Sequence, residues 1–428
     1  MEGILKLGLA GCDISPADAD PVLYGDFGPR RCSKKLTPIQ ARAMFLDDGS
    51  MRFVIVTLDL RGLEKKNCDA IRQAIRKRCL IDDSAIMLIS SHASGVPCTV
   101  PCIGHNQTGD DTYIAAVCKK TADMVEQAQN SCSPVAIGTA NAMLPHLVYN
   151  HRLVTRNYKT VSAWLSVPAN EVMEVEGPID PVLKVMVVRD RSGEIISLLW
   201  NFAADIRFDE GDVLSAGLPY LIEKEIAQRM KKNIPCMYLP GCGGNISFSR
   251  DLHSTVDALA SSIIAVALET SCDGNIALQS LQEQVILPVR DYTQFFSESD
   301  IDLKAPALTE KFRKEQEAMK TSGIQAVPVT ITILRLGRFV IAGLPGMPFA
   351  ECGLQIKQVS RHHQTFVVAN TNEYAGYIPT RAAFERGGYE TWPSRSSPVG
   401  SGSGEFLAEQ ASVMLNSLAS TQPVEPAF

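Results

Sequence analysis

No cluster of basic residues and no long apolar run interrupts this chain of 428 residues. Lys and Arg number 41 against 47 Asp and Glu, a net charge of −6. Without a run of cations long enough to neutralise a phosphate backbone, a nucleic-acid partner is excluded. The opening Met1-Glu2-Gly3-Ile4-Leu5-Lys6 lacks the basic start, apolar core and small-residue cleavage site of a secretory signal, so the expected location is cytoplasmic. The most apolar helical stretch, Ser254 to Glu269, carries Asp257 and small polar residues and falls short of the ~20 apolar residues of a membrane span. No transmembrane segment is expected. The 12 cysteines are scattered, which points to buried thiols and not to a disulfide framework. With 45% hydrophobic, 21% charged and 7% aromatic residues, collagen-like, coiled-coil and largely disordered chains are also ruled out.

What is present is an alternation of two periods. Apolar runs of strand length recur at Ile4 to Ala10, Phe53 to Leu60, Ala85 to Ser90, Leu183 to Val188, Ile195 to Trp200, Cys236 to Leu239, Val329 to Leu336, Phe339 to Leu344 and Phe366 to Asn370. Between them lie stretches of helical period at Lys65 to Cys79, Asp111 to Gln129, Leu218 to Lys231, Ser254 to Glu269 and Gly404 to Leu418. The class is α/β. Asn275 to Arg290 is apolar at alternate positions with no helix after it, which predicts an antiparallel strand and hence a mixed sheet. A single domain is expected over 1–420. Within it, polar 291–323 reads as a lid or insert or as a plain surface helix, and 421–428 reads as a tail.

Two predicted strands end in small polar turns, Ser91-His92-Ala93-Ser94-Gly95 and Pro240-Gly-Cys-Gly-Gly-Asn-Ile-Ser247. Ligands of open α/β sheets bind at such strand ends. His92 is a candidate metal ligand or general base there, or else a hydrogen-bonded histidine closing a buried strand. His92, Cys98, Cys102 and His105 have types and spacings that zinc accepts, though two prolines constrain the loop and no second Cys/His pair completes a finger pattern. The backbone N–H groups of Gly243, Gly244 and Asn245 are candidates to hold negative charge beside the Ser247 hydroxyl. A tight turn, with Ser247 capping the helix that follows, is the competing reading.

In order and spacing, several segments resemble the catalytic domain of the neutral/alkaline (non-lysosomal) ceramidase family. They are Leu7-Gly-Leu-Ala-Gly-Cys-Asp-Ile-Ser-Pro16, Ala41 to Gly49, Leu58-Asp59-Leu60, Ser90-Ser91-His92, Asn150-His151-Arg152, Asp180-Pro181, Asn201-Phe202-Ala203, Gly241 to Ser249, Gly343-Leu-Pro-Gly346, Gly376-Tyr-Ile-Pro-Thr380 and Gly387-Gly-Tyr-Glu390. The resemblance implies a zinc amidase in which the metal polarises an amide carbonyl and a serine or activated water attacks it. His92 falls on the first zinc histidine of the family's Thr-His-Thr-His-Ser-Gly motif, and Ser94 stands at that motif's second histidine. Asp205 replaces the second zinc histidine, Met347 stands where a glutamate is expected, and Tyr377 matches the zinc-bound tyrosine. Tyr389 matches the tyrosine facing the substrate, Arg152 the active-site arginine and Ser247 the proposed nucleophile, with Asn245 in place of the aspartate before it.

His92, Asp205 and Tyr377 are therefore the candidate zinc ligands, with Glu351 one helical turn after Met347 as a candidate substitute for the lost glutamate. The thioether is a poor partner for zinc. The implied function is hydrolysis of an amide (C–N) or related acyl bond in a small-molecule substrate, catalysed by Ser247, Arg152, Tyr377 and Tyr389, with Ser94, Gly243, Gly244, Asn245 and Arg207 lining the site. Arg152 and Arg207 suit a substrate carboxylate; for Arg207 an ion pair with Asp209 or Glu210 is the alternative. A ceramide substrate does not fit a chain expected to stay in the cytoplasm. The competing functions are a metal-independent isomerase or lyase working through His92 or Asp205 with Tyr377 or Tyr389, and a non-catalytic binding protein on the same fold.

Overall fold

The computed structural model describes residues 4–418, apart from 19, 26, 104–110, 166, 207–210, 293–305 and 396. Three mixed β-sheets form the frame. The first orders Ile86–Ser90, Arg52–Leu58, Gln40–Asp47, Lys6–Asp13 and Ser133–Pro134. The second orders Cys236–Pro240, Ile195–Phe202, Val182–Arg189 and Ala136–Met143, and the third Leu278–Pro288, Ala326–Leu336, Phe339–Gly343 and Gln364–Val368. All three follow one plan, with antiparallel neighbours except for a single parallel pair at one edge.

Each sheet carries two packed helices: Lys65–Arg76 with Asp111–Asn130, Leu218–Met230 with Leu252–Glu269, and Ala350–Val359 with Ser403–Ser417. Burial on both faces explains the continuous apolar runs; Arg52–Leu58, for example, is buried at every position after its first. The large side chains Phe45, Phe53, Trp200, Phe202 and Phe366 are fully buried, and truncating such a residue to alanine costs about 3–5 kcal/mol.

The expected mixed α/β class is what the chain adopts, and Leu278–Pro288 is the antiparallel strand that its alternation predicts. Two expectations need correction. Leu252–Glu269 is long and apolar enough, by length and composition, to cross a membrane. In the fold, however, it buries Thr255, Val256, Leu259, Ala260, Ile263 and Ala267 against the second sheet and its partner helix. The polar excursion contains the helix Pro306–Ser322, which is more than surface decoration: Phe312, Glu315 and Met319 are buried, Phe312 meets the Trp392 ring at 5.0 Å, and Glu315 pairs with Arg395 at 2.6 Å. Residues 293–305 of the excursion and the tail lie outside the described residues.

Candidate active site

The three parallel pairs finish at Leu58 beside Ser90, Phe202 beside Pro240, and Gly343 beside Val368. One segment stitches these ends together. Ala369 N–H donates to the Pro240 carbonyl (2.7 Å), Ser90 N–H donates to the Asn370 carbonyl (3.1 Å), and the Asn370 side-chain amide donates to the carbonyls of Arg61 (2.7 Å) and Ser90 (3.1 Å). Asn370 and His92 both have left-handed backbones, φ 52° and 65°. Such a conformation is uncommon for residues other than glycine and, at a ligand-facing turn, is a sign of function.

From these ends come Arg61, His92, Asp205, Met347 and Tyr377, and they form one buried cluster. His92 Nδ1 lies 3.2 Å from Asp205 Oδ1, and the Tyr377 hydroxyl donates to Asp205 Oδ2 at 3.3 Å. Arg61, fully buried with its guanidinium 4.7 Å above the Tyr24 ring, donates to the His92 carbonyl (3.2 Å) and to the Tyr377 hydroxyl (3.3 Å). Met347 sits directly beside Tyr377 in a short parallel pair. The three predicted ligand positions thus converge on one point. Among the described residues, no group of three or more His, Cys, Asp or Glu is placed to hold a metal ion.

A second cluster adjoins it, because Ser247 forms a backbone bridge with Asp205. Ser247 belongs to the strand Ile246–Phe248, paired antiparallel with Val148–Asn150. Its Oγ lies 2.9 Å from His151 Nδ1, and His151 Nε2 lies 2.7 Å from Glu390 Oε1. The other Glu390 oxygen accepts from Arg152, whose fork also grips Glu176 and the Gly387 carbonyl. His151, Arg152 and Glu390 are all buried. Burial pushes the Glu390 carboxyl up, but Arg152 and His151 outweigh it and bring it down to about 2. A serine hydroxyl, an imidazole and an ionised carboxylate in a hydrogen-bonded line have the chemistry that a nucleophile, its base and the group orienting that base require.

Sequence reasoning missed His151, Glu390 and Arg61 as participants. The first two are sequence neighbours of residues singled out by the resemblance, Arg152 and Tyr389, and Arg61 follows Leu58-Asp59-Leu60. Their partners, however, lie 96, 239 and 316 residues away.

Several expected roles are corrected. Arg152 is not open to a substrate carboxylate, since its side chain is 0% exposed and spent on Glu176, Glu390 and Gly387. The Gly244 N–H already donates to the Pro348 carbonyl (3.1 Å), so it does not form an anion hole in the expected way, and the Asn245 side chain binds Ala350 N–H and Glu351 (both 2.9 Å). The glycines permit close approach of backbones: a Cβ at Gly243 would lie 2.7 Å from the Ala204 backbone, and one at Gly244 would lie 2.5 Å from the Met347 carbonyl. Bound to Asn245, Glu351 does not substitute for the lost glutamate. Ser247 caps no helix; Asp251 does, accepting from Ser254 N–H.

Ser94 is half-buried and its carbonyl accepts from Arg30. Tyr389 stands between the clusters, edge-on to Tyr377 (5.7 Å), and meets Phe27, Trp164 and Trp392 at 5.6–5.9 Å. The Cys98 and Cys102 thiols donate to the carbonyls of Val100 and Gly25. Arg207, Asp209, Glu210 and His105 lie outside the described residues.

No family model matches the chain, and neither does any curated protein. Solved structures do. The neutral ceramidase from Pseudomonas aeruginosa superposes with a TM-score of 0.71 at 15% identity, over 100% of this chain and 76% of that one. A ceramidase complexed with C2 gives 0.73 at 15% identity, over 99% and 77%. The fold is that of neutral ceramidase.

Proposed function

We propose that this chain is an acyl-bond hydrolase of the amidase type whose nucleophile is Ser247. The reading rests on one observation, the Ser247–His151–Glu390 line at 2.9 and 2.7 Å. With Nε2–H donating to ionised Glu390, His151 Nδ1 is left as the acceptor that faces the serine hydroxyl. As Oγ bonds to the substrate carbonyl carbon, the hydroxyl proton moves to Nδ1. When the C–N or C–O bond breaks, that proton passes to the leaving nitrogen or oxygen, and water then releases the acyl group by the same path. Glu390 stays ionised throughout and stabilises the imidazolium; Arg152 and Glu176 keep it in place. Fold likeness to ceramidases favours an amide over other acyl compounds, and the rings of Tyr389, Trp164 and Phe27 offer an apolar wall to the acyl chain.

The test is a rapid quench of the protein with activated acyl esters and N-acyl amides of graded chain length, followed by intact-mass and peptide analysis. An acyl adduct on Ser247 is expected, accumulating with esters because acylation is then fast. Turnover with no adduct, and with full rate in Ser247→Ala, would reject Ser247 as the nucleophile; no turnover of any acyl substrate would favour a lyase or isomerase working through His92 and Asp205.

A further inference from the structure

The fold and the converging donors invite a zinc ion, with His92, Asp205 and Tyr377 at separations that ligands of one ion would have. The donor set does not fit it. Of the described side chains gathered there, one is an imidazole, one a carboxylate, one a phenol and one the thioether of Met347, whereas zinc favours three or four ligands drawn from His, Cys and carboxylate. A fifth side chain is decisive. The buried Arg61 guanidinium already donates to the Tyr377 oxygen at 3.3 Å, so the phenol that would face an ion faces a permanent cation instead.

We propose that Arg61 has taken over the place of the metal: its guanidinium supplies the fixed positive charge of the site, keeps divalent ions out, and holds the chain of hydrogen bonds from Tyr377 through Asp205 to His92. This assignment does not depend on Ser247 being the nucleophile, because metal content is measured whether or not a substrate is known. Arg61 acts on the site through Tyr377 and is a positioning residue.

The experiment is metal analysis of protein purified without chelator, with zinc titration followed by calorimetry and by melting temperature. The wild type, Met347→Glu and the double variant Arg61→Gln/Met347→Glu are compared. The expected result is less than about a tenth of an equivalent of zinc in the wild type and in Met347→Glu, where the guanidinium remains. The double variant, which keeps donors for Tyr377 but removes the charge and restores a carboxylate, is expected to take up about one equivalent with a rise in melting temperature. One equivalent of zinc in the wild type would overturn the proposal, as would uptake by Met347→Glu. Failure of a folded double variant to bind zinc would also overturn it, since Arg61 would then not be what excludes the ion. Should the double variant not fold, zinc in the wild type or in Met347→Glu still refutes the assignment, and Arg61→Met/Met347→Glu replaces the double variant with the same two outcomes.

Discussion

Two imidazoles, each hydrogen-bonded to a carboxylate, stand side by side at the meeting point of the three sheets. At His92 the cation arrives indirectly, from Arg61 through the Tyr377 hydroxyl to Asp205. At His151 the carboxylate grips its cation directly, and the other ring nitrogen meets a serine hydroxyl. The difference shows that a His–carboxylate pair does not define a role by itself. What lies on the far side of the ring decides it, and at His151 that is the Ser247 hydroxyl.

Substitutions sharpen the contrast, and the largest effect falls on the serine side. Ser247→Ala is expected to lower acyl turnover by about five to six orders of magnitude with an unchanged melting temperature. Glu390→Gln, which frees His151 to adopt the wrong tautomer, should cost about 10³–10⁴ in kcat. His92→Gln belongs to the neighbouring pair and should cost about 10². If kinetics gave His92→Gln the larger loss, the assignment of the two pairs would have to be exchanged.

Stability offers a pH-dependent comparison. Glu390 titrates lower in the folded chain than its ordinary 4.5, so its contribution is present above about 4.5 and is lost as pH falls toward 2. The integrated effect is on the order of 3 kcal/mol. Acid unfolding monitored by circular dichroism should therefore steepen over that interval, and Glu390→Gln should flatten it. The smallest effect belongs to the true helix cap: Asp251→Ala should cost about 1 kcal/mol in urea unfolding and leave turnover unchanged.

Much of the frame was legible because the physics that builds it is local. Val54-Ile55-Val56 and Ile331-Thr332-Ile333 announce strands by composition alone. Gln40–Asp47, a central strand, did not stand out, because Arg42 and two alanines dilute its apolar signal; Arg42 is tolerated there through its pairing with Asp59 and Glu223. Of the site, His92 and Ser247 stood out at strand-end turns, and Asp205 and Tyr377 were reached through family resemblance. His151 and Glu390 were not, since nothing in Asn150-His151-Arg152 or Tyr389-Glu390 reveals which partners the fold will deliver. Arg61 is harder still, because its meaning depends on a phenol contributed by another sheet.

The stitching of three strand ends by Ala369 and Asn370 has a kinetic consequence. Arg61, just past a strand of the first sheet, and Tyr377, beyond the last strand of the third, are separated by 316 residues, so their contact needs most of the chain. Closing loops of that length is entropically costly and slow compared with forming any single helix or hairpin. Each sheet with its two helices is expected to form first, and their docking last. Catalytic activity would then be a reporter of the final step of folding, returning during refolding only after the signal from secondary structure has already reached its plateau.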